Sequence, residues 1–205
     1  MFEEKASAKV NLCLQIVGQK SNGFHLLDSI VGFTEFGDHL SFEKSEKLEL
    51  TVKGAFSDQI PLDNSNLVLK AAELLRTLNN IKDGAHITLT KNLPPSAGLG
   101  GGSSDAAAAI RGLTRLWEIN LPALDELMKI GSDLPVCINQ KTQHMKGFGE
   151  VLRIIHTFPN LPILLVNPLK KVSTQAVFNM LENKQNPPLS NYEKLFQTKK
   201  DWINW

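Results

Sequence analysis

The alternation of hydrophobic and polar residues predicts strands in the first part of the chain. Apolar residues alternate with polar ones from Val10 to Val17 and again from Leu48 to Lys53, as expected of half-buried strands. A further strand region, Asp28 to Phe42, is predicted to break near Gly37-Asp38. Leucine and alanine then recur at helical spacing from Leu67 to Leu78, so these residues predict the first helix.

Shorter elements follow in the rest of the chain. The sequence Asp63-Asn64-Ser65 predicts the cap of the first helix. Further predictions are strands at His86–Thr90, Val136–Ile138 and Ile163–Val166, and helices at Leu124–Lys129 and Val172–Leu181. Strands first, helices next and a strand again predict an α+β fold without strict βαβ alternation. A boundary near Phe158 predicts one domain over residues 1–157 and the start of a second over 158–205.

Composition and charge narrow the class of protein. The 205 residues are 42% hydrophobic and 21% charged, with a formal net charge of +1, which gives no support to nucleic acid as a partner. Two cysteines with apolar neighbours are expected to be buried thiols in a reducing compartment. Met1 to Lys5 lacks the apolar segment of a signal peptide, and Ile163–Val166 is too short to span a bilayer. These features predict a cytoplasmic protein without a membrane partner.

A glycine-rich segment, Pro94 to Ser104, leads directly into an alanine-rich helical segment. Glycines allow close backbone approach, and the first turn of a helix presents unpaired N–H groups, so the segment predicts an anion cradle. A flexible loop before a surface helix is the alternative. No Gly-Lys-Ser/Thr follows the glycines, and Ser103 stands where a dinucleotide fingerprint has glycine. The hydroxyls of Ser103 and Ser104 suit phosphate or a helix cap, and Asp105 is expected in the first turn.

Three polar residues are candidates for the chemistry of phosphoryl transfer. Asp133 lies between Gly131 and Pro135 and is the best candidate for a base, although a local turn bond is the commoner role of such an aspartate. Lys9 opens a strand whose polar face could line a cleft, and a solvated lysine is the alternative. His25 follows Phe24 and could read a base edge, or be an ordinary histidine. The five histidines lack the spacing of a shared metal-ligand set.

The segment from Pro94 to Ser104 resembles the phosphate loop of the GHMP kinase superfamily, Pro-x-x-x-Gly-Leu-Gly-(Gly)-(Gly)-Ser-Ser. Four other blocks agree in order and approximate spacing with the members of that superfamily that act on a cytidine-linked substrate: Ala8–Leu12, Asn22–His25, Asp63–Leu67 and Gly131–Val136. The resemblance covers most of the chain. The Asn-Gly-aromatic-His block discriminates, because in these members it grips the cytidine.

The resemblance implies a fold and a function. The fold would be that of GHMP kinases, with an N-terminal domain of the ribosomal-protein-S5-like domain 2 type and an incomplete C-terminal α+β domain. The function would be ATP-dependent phosphorylation of the 2-hydroxyl of a cytidine-diphosphate-linked methylerythritol in the bacterial non-mevalonate isoprenoid pathway. Magnesium is expected to enter with the nucleotide, and the protein to be a monomer or homodimer. A kinase of homoserine or mevalonate and an inactive nucleotide-binding fragment are the alternatives.

The resemblance also implies roles for individual residues. Asp133 would be the general base, and Lys9 would lie beside it and the reacting hydroxyl. Four residues would bind the substrate together with Asp133: Asn11, Phe24, His25 and Phe178. Asn66 would lie near adenine, and the ATP phosphates would be held by the loop residues Pro94, Gly98, Leu99, Gly100, Gly101, Gly102, Ser103 and Ser104.

The sequence departs from the family pattern at three places. Phe24 replaces the usual tyrosine, so stacking is kept while a hydroxyl is lost. The helix before Gly131 is about one turn shorter than usual, which is expected to shift Asp133. The last glycine motif of the family, of the Ser-Gly-x-Gly-Ala type, is absent, and Asp201–Trp205 resembles the start of an interior helix. The second domain is therefore expected to be incomplete.

Overall fold

The computed structural model describes residues 1–21, 23–170, 172–189 and 198–203. Asn22 of the predicted Asn-Gly-aromatic-His block and the last two residues, Asn204 and Trp205, lie outside these ranges. The strands are β1 (Phe2–Gln19), β2 (His25–Ser45), β3 (Leu48–Lys53), β4 (Gly84–Thr90), β5 (Gln143–Gly147) and β6 (Val151–Ile154). The helices are α1 (Leu67–Asn79), α2 (Gly101–Leu116), α3 (Leu124–Ile130), α4 (Leu134–Asn139), α5 (Thr174–Asn179) and α6 (Lys199–Ile203).

The long strand β2 organises the sheet. β1 pairs with it in antiparallel fashion along nearly its whole length, from Phe2 opposite Phe42 to Gln19 opposite His25. On its other edge, β2 pairs with β4 at one end and with β5 at the other. β6 continues from β5, and β3 joins β4 in parallel, with α1 as the crossover that a parallel pair requires. The predicted α+β class is confirmed.

Helices α1, α2 and α4 supply the apolar residues that cover one face of the sheet. The four alanines Ala106–Ala109 of α2 are fully buried, and their small size lets the helix lie close to β1 and β2. At Gly112 a Cβ atom would lie 2.3 Å from the Phe42 ring, so the helix and the sheet are in direct contact there. On the other face, Trp202 of α6 packs with Ile30 and lies 4.7 Å from Phe158 between ring centroids.

Two details of the strand predictions are wrong. β2 is continuous through Gly37, and its irregularity lies over residues 34–36, since Ser7 pairs with Gly37 and Lys9 with Phe33. Gly37 instead allows β1 and β2 to approach closely, because a Cβ atom at this position would lie 2.3 Å from the carbonyl oxygen of Ala6. In β1, a register shift follows Asn11 and the predicted apolar face is only partly buried: Leu14 is 45% exposed, whereas Ile16 is buried.

Three predictions for the helices and the later strands also need correction. The cap of α1 is Asn66, and not the preceding Asp63–Ser65 sequence. Residues Val136–Ile138 belong to helix α4, which packs against α2, and not to a strand. Residues Ile163–Val166 form no strand: Leu164 and Val166 are 88% and 84% exposed, with no neighbouring strand recorded for them.

The remaining helices agree with the sequence, apart from their bounds. The predicted helix at 172–181 is present as α5, and that at 124–129 as α3. The sequence did not predict β5 and β6. No helix in the described ranges has both the length and the apolarity needed to cross a bilayer.

Candidate active site

Lys9 and Asp133, the candidate cation and base, are in direct contact. Lys9 lies on β1, and its Nζ donates a hydrogen bond of 2.7 Å to Oδ2 of Asp133. The lysine side chain is 6% exposed and the aspartate side chain 35%. Asp133 immediately precedes α4. The helix before it, α3, is short, but Asp133 still lies within hydrogen-bond distance of Lys9. We call Lys9 and Asp133 the open pair, because solvent reaches the carboxylate.

The glycine loop is docked against the same lysine. The backbone N–H of Lys9 donates to the carbonyl oxygen of Leu99 over 2.8 Å. Gly100 has φ +62°, and a Cβ atom there would lie 2.8 Å from Cβ of Lys9, so glycine is required. Helix α2 begins at the next residue, and the first N–H groups of a helix have no intrahelical partner. The open pair therefore lies beside an anion cradle.

The two serines at the start of α2 have different surroundings. Ser103 is half-buried, and its Oγ lies 3.9 Å from the position that a Cβ atom would take at Gly131. Ser104 is fully buried, and its hydroxyl contacts Sγ of Cys137 at 3.5 Å. Burial raises the pKa of the Cys137 thiol to about 12. Of the two serines, only Ser103 is therefore partly exposed to solvent, and it lies near the loop that carries Asp133.

A second set of charges lies beneath the glycine loop. Nζ of Lys91 donates to Oδ2 of Asp38 at 2.5 Å and to Oδ2 of Asp105 at 2.7 Å. The three side chains are between 0% and 5% exposed. We call Lys91, Asp38 and Asp105 the sealed cluster. It spans the loop, since Oδ1 of Asp38 accepts from the N–H groups of Asn92 and Leu93 before the loop and Asp105 follows it in α2.

Burial and mutual attraction set the protonation of the sealed cluster. Burial opposes the charge on Lys91, but Asp105 and Asp38 outweigh it and raise the pKa of the lysine above its usual value. Burial raises the pKa of Asp105 to about 8 against the opposing effect of Lys91. Oδ1 of Asp105 is buried without a hydrogen-bond partner among the described residues.

The sealed cluster was not predicted from the sequence. Asp105 is the fifth residue of α2, beyond the first turn where it was expected, and its carboxylate contacts Lys91. One signal was available in β4 and just after it. Lys91 continues the alternation of the buried residues Ala85, Ile87 and Leu89, so its side chain was due to point inward.

An aromatic site lies where β1 and β2 meet. The rings of His25 and Phe178 are stacked, with centroids 5.0 Å apart and planes inclined by 23°. Nε2 of His25 is buried and has no hydrogen-bond partner among the described residues. Phe24 is 59% exposed, and its ring lies 6.2 Å from that of Phe148. The structure therefore brings His25 and Phe178 together, and it places the ring of Phe148, a residue not predicted from the sequence, beside Phe24.

Two predicted asparagines are held by other groups. Nδ2 of Asn11 donates to Oγ of Ser29 at 2.8 Å. Oδ1 of Asn66 accepts from the N–H of Val68 and caps α1, and its Nδ2 donates to the carbonyl oxygen of Pro61 in the preceding loop, so both ends of this amide are already bonded. Pro94 is partly buried where the loop begins. No three acidic, histidine or cysteine side chains of the described ranges are arranged to hold a metal ion.

Comparisons with known proteins bear on the family of this chain. Residues 66–148 match the family model "GHMP kinases N terminal domain", which confirms the resemblance seen in the sequence. The 4-diphosphocytidyl-2-C-methyl-D-erythritol kinase of Paramagnetospirillum magneticum is 48% identical over 180 residues, which are 86% of this chain and 63% of that protein. The enzyme of the same name from Rhizobium johnstonii is 44% identical over 205 residues, which are 98% of this chain and 67% of the relative.

A solved structure is also similar. The crystal structure of a 4-(cytidine 5'-diphospho)-2C-methyl-D-erythritol kinase matches with a TM-score of 0.73 and 28% sequence identity. The match covers 92% of this chain and 68% of that one. The chain thus spans about two thirds of the length of the proteins that it matches.

Proposed function

The chain belongs to the family of 4-diphosphocytidyl-2-C-methyl-D-erythritol kinases, and from that premise we propose that it transfers a phosphoryl group from ATP to the 2-hydroxyl of 4-diphosphocytidyl-2-C-methyl-D-erythritol. The reaction would serve the non-mevalonate route to isoprenoid precursors. The observation that carries the proposal is the open pair beside the glycine loop. A carboxylate, an ammonium group and an anion cradle in mutual contact are the groups that phosphoryl transfer to an alcohol requires.

In this proposal Asp133 is the general base. Its carboxylate accepts the proton of the 2-hydroxyl while the hydroxyl oxygen forms a bond to the γ-phosphorus. The bond between that phosphorus and the oxygen bridging to the β-phosphate breaks, and ADP leaves. The ammonium of Lys9, 2.7 Å from Asp133, orients the carboxylate and offsets negative charge on the group in transfer.

We propose that the glycine loop and the start of α2 hold ATP. The N–H groups of Gly98 to Gly102 would bind the phosphates, and Ser103 would add its hydroxyl. Pro94, Leu99 and Ser104 would shape the loop, and Asn66 would lie near adenine. Magnesium would enter with the nucleotide, bound to phosphate oxygens, and supply charge neutralisation.

The cytidine end of the substrate would occupy the aromatic site. The buried Nε2 of His25 lacks a hydrogen-bond partner, which a cytosine edge would provide. Phe24 and Phe178 would stack on the base, and Asn11 would help to hold the methylerythritol. On this account the partners are small molecules, the location is the cytoplasm, and the residues from 158 onward begin a second domain.

The test is phosphate transfer from γ-labelled ATP by this chain, with the cytidyl substrate, homoserine and mevalonate offered separately. The proposal predicts label on the cytidyl substrate alone. Label on homoserine or mevalonate would overturn the assignment of the aromatic site. Absence of label from all three, with ATP still bound, would contradict the proposed activity for this chain and favour nucleotide binding without transfer.

A further inference from the structure

The turn between β5 and β6 has a backbone geometry that favours glycine at two positions. Gly147 and Gly149 have φ angles of +71° and +115°, which glycine adopts at low cost. Between them, the N–H of Phe148 donates to Oε2 of Glu150 at 2.6 Å, so the turn is closed by its own carboxylate. Phe148 is therefore presented from a short, internally bonded turn.

One side of this turn supports the aromatic site. The Phe148 ring lies 6.2 Å from the ring of Phe24, with the planes inclined by 57°, a tilted arrangement that is favourable for aromatic pairs. Nζ of Lys20 lies 4.4 Å from the centroid of the same ring, in the range of a cation–π contact. The N–H of Lys20 also donates to the carbonyl oxygen of Phe24. Phe148 thus contacts two residues of the segment that displays Phe24.

The other side of the turn touches the loop of the proposed base. A Cβ atom at Gly149 would lie 2.6 Å from the carbonyl oxygen of Ser132, the residue before Asp133. Two neighbouring residues of one turn therefore contact the aromatic site and the loop carrying Asp133. The spacing between the two ends of the proposed substrate site depends on this turn.

We propose that Phe148 is a positioning residue that holds Phe24 at the orientation needed to bind a nucleobase. The inference rests on the proposed function, because it assigns to Phe24 the cytidine end of that same site. Phe24 is 59% exposed, and the Phe148 ring packs against it with the ring centroids 6.2 Å apart. The ammonium group of Lys20 lies over the Phe148 ring and contacts the turn from the side of β1.

The test uses CDP as the probe and calorimetric titration of the intact chain. Phe148→Leu keeps an apolar side chain and removes the ring, and it is expected to weaken CDP binding about three- to tenfold. ATP affinity and melting temperature should stay unchanged. Phe148→Tyr keeps the ring and should restore CDP affinity. Phe36→Leu makes the same change at another exposed phenylalanine, on the irregular part of β2, and should bind CDP as the wild type does.

The possible results separate this inference from the function on which it rests. A wild-type chain that binds ATP but not CDP would overturn the cytidyl assignment and this inference with it. Equal CDP affinity in wild type and Phe148→Leu would overturn only the role of Phe148. A parallel loss of ATP affinity would mean a general structural defect and also contradict it. With the cytidyl substrate in a transfer assay, positioning predicts a raised KM with kcat retained.

Discussion

The open pair and the sealed cluster use the same two residue types at nearly the same distances, yet in different surroundings. Lys9 meets Asp133 at 2.7 Å, and Lys91 meets Asp105 at 2.7 Å. The Asp133 side chain is 35% exposed, whereas Asp105 is 5% exposed in the sealed cluster. A substrate can therefore reach one carboxylate and not the other. Access, rather than the ion pair itself, is what fits the open pair to the proposed reaction.

The number of carboxylates also differs between the two regions. The open pair has one carboxyl group for one lysine ammonium group, whereas the sealed cluster has two carboxyl groups for one ammonium group. Burial raises the pKa of Asp105 to about 8 against the opposing effect of Lys91, which favours the protonated form of this second carboxyl group. The cluster fixes both ends of the glycine loop, and the loop in turn contacts Lys9. The sealed cluster thus anchors the loop that lies beside the proposed catalytic pair.

The largest expected effect separates the two lysines by stability. Lys91→Met leaves the buried carboxyl groups of Asp38 and Asp105 without their cation, and loss of one partner of a buried pair costs about 3–5 kcal/mol. The melting temperature should fall by on the order of 10 °C. Lys9→Met is the matched control, because Asp133 keeps contact with water, and it should shift the melting temperature much less. Equal losses in the two variants, measured by calorimetry, would remove the distinction between the regions.

A smaller effect is expected from Asp105→Asn, and its sign depends on pH. The native state raises the pKa of Asp105 from 3.8 to about 8, so the stability due to its bound proton is complete below about pH 4 and is lost as pH rises toward 8. Asparagine mimics the protonated form and carries no such loss. The melting temperature of the variant relative to wild type should therefore increase from about pH 5 to about pH 8 and then level off.

Melting curves across that range check this prediction, with Asp133→Asn as the control at the open pair. A difference between Asp105→Asn and wild type that does not change with pH would mean that Asp105 is ionised in the native state. The sealed cluster would then carry a net negative charge, contrary to the account given above.

The smallest effect concerns the thiols. Cys137 is buried beneath the open pair, in α4, and burial raises its pKa to about 12. Cys13 is only partly buried, and its pKa is also raised by burial. Iodoacetamide should modify Cys13 slowly and leave Cys137 unmodified until the chain unfolds. Peptide mass spectrometry distinguishes the two sites. Rapid modification of Cys137 in the native state would show that α4 does not keep this thiol buried.

The parts of the site that the sequence predicted are those with local signals. The glycine loop and its helix follow from glycine and alanine content, and the open pair came from the order of motif blocks. The sealed cluster was not predicted because a lysine directly after a strand is expected to be exposed to solvent, as Lys91 would be. Only the buried positions of its alternate neighbours, which become clear once the helices cover β4, point to its burial.

The errors in the fold have the same cause. Val136–Ile138 is rich in β-branched residues, yet it forms a helix because α2 and α3 offer it helical packing partners. Ile163–Val166 has the composition of a buried strand, but a strand needs a neighbour to pair with, and none is recorded for it within the described residues. Tertiary contacts thus overrode the strand preference of Val136–Ile138, whereas the strand preference of Ile163–Val166 found no pairing partner among the described residues.

The most direct test of the account is single-turnover phosphate transfer to the cytidyl substrate by wild type and Asp133→Asn, with ATP affinity measured on the same samples. If Asp133 is the base of the open pair, the variant should lose about 100- to 10,000-fold in rate while ATP binding and melting temperature stay close to wild type. A variant that transfers phosphate at the wild-type rate would contradict the central claim that the open pair is the catalytic centre.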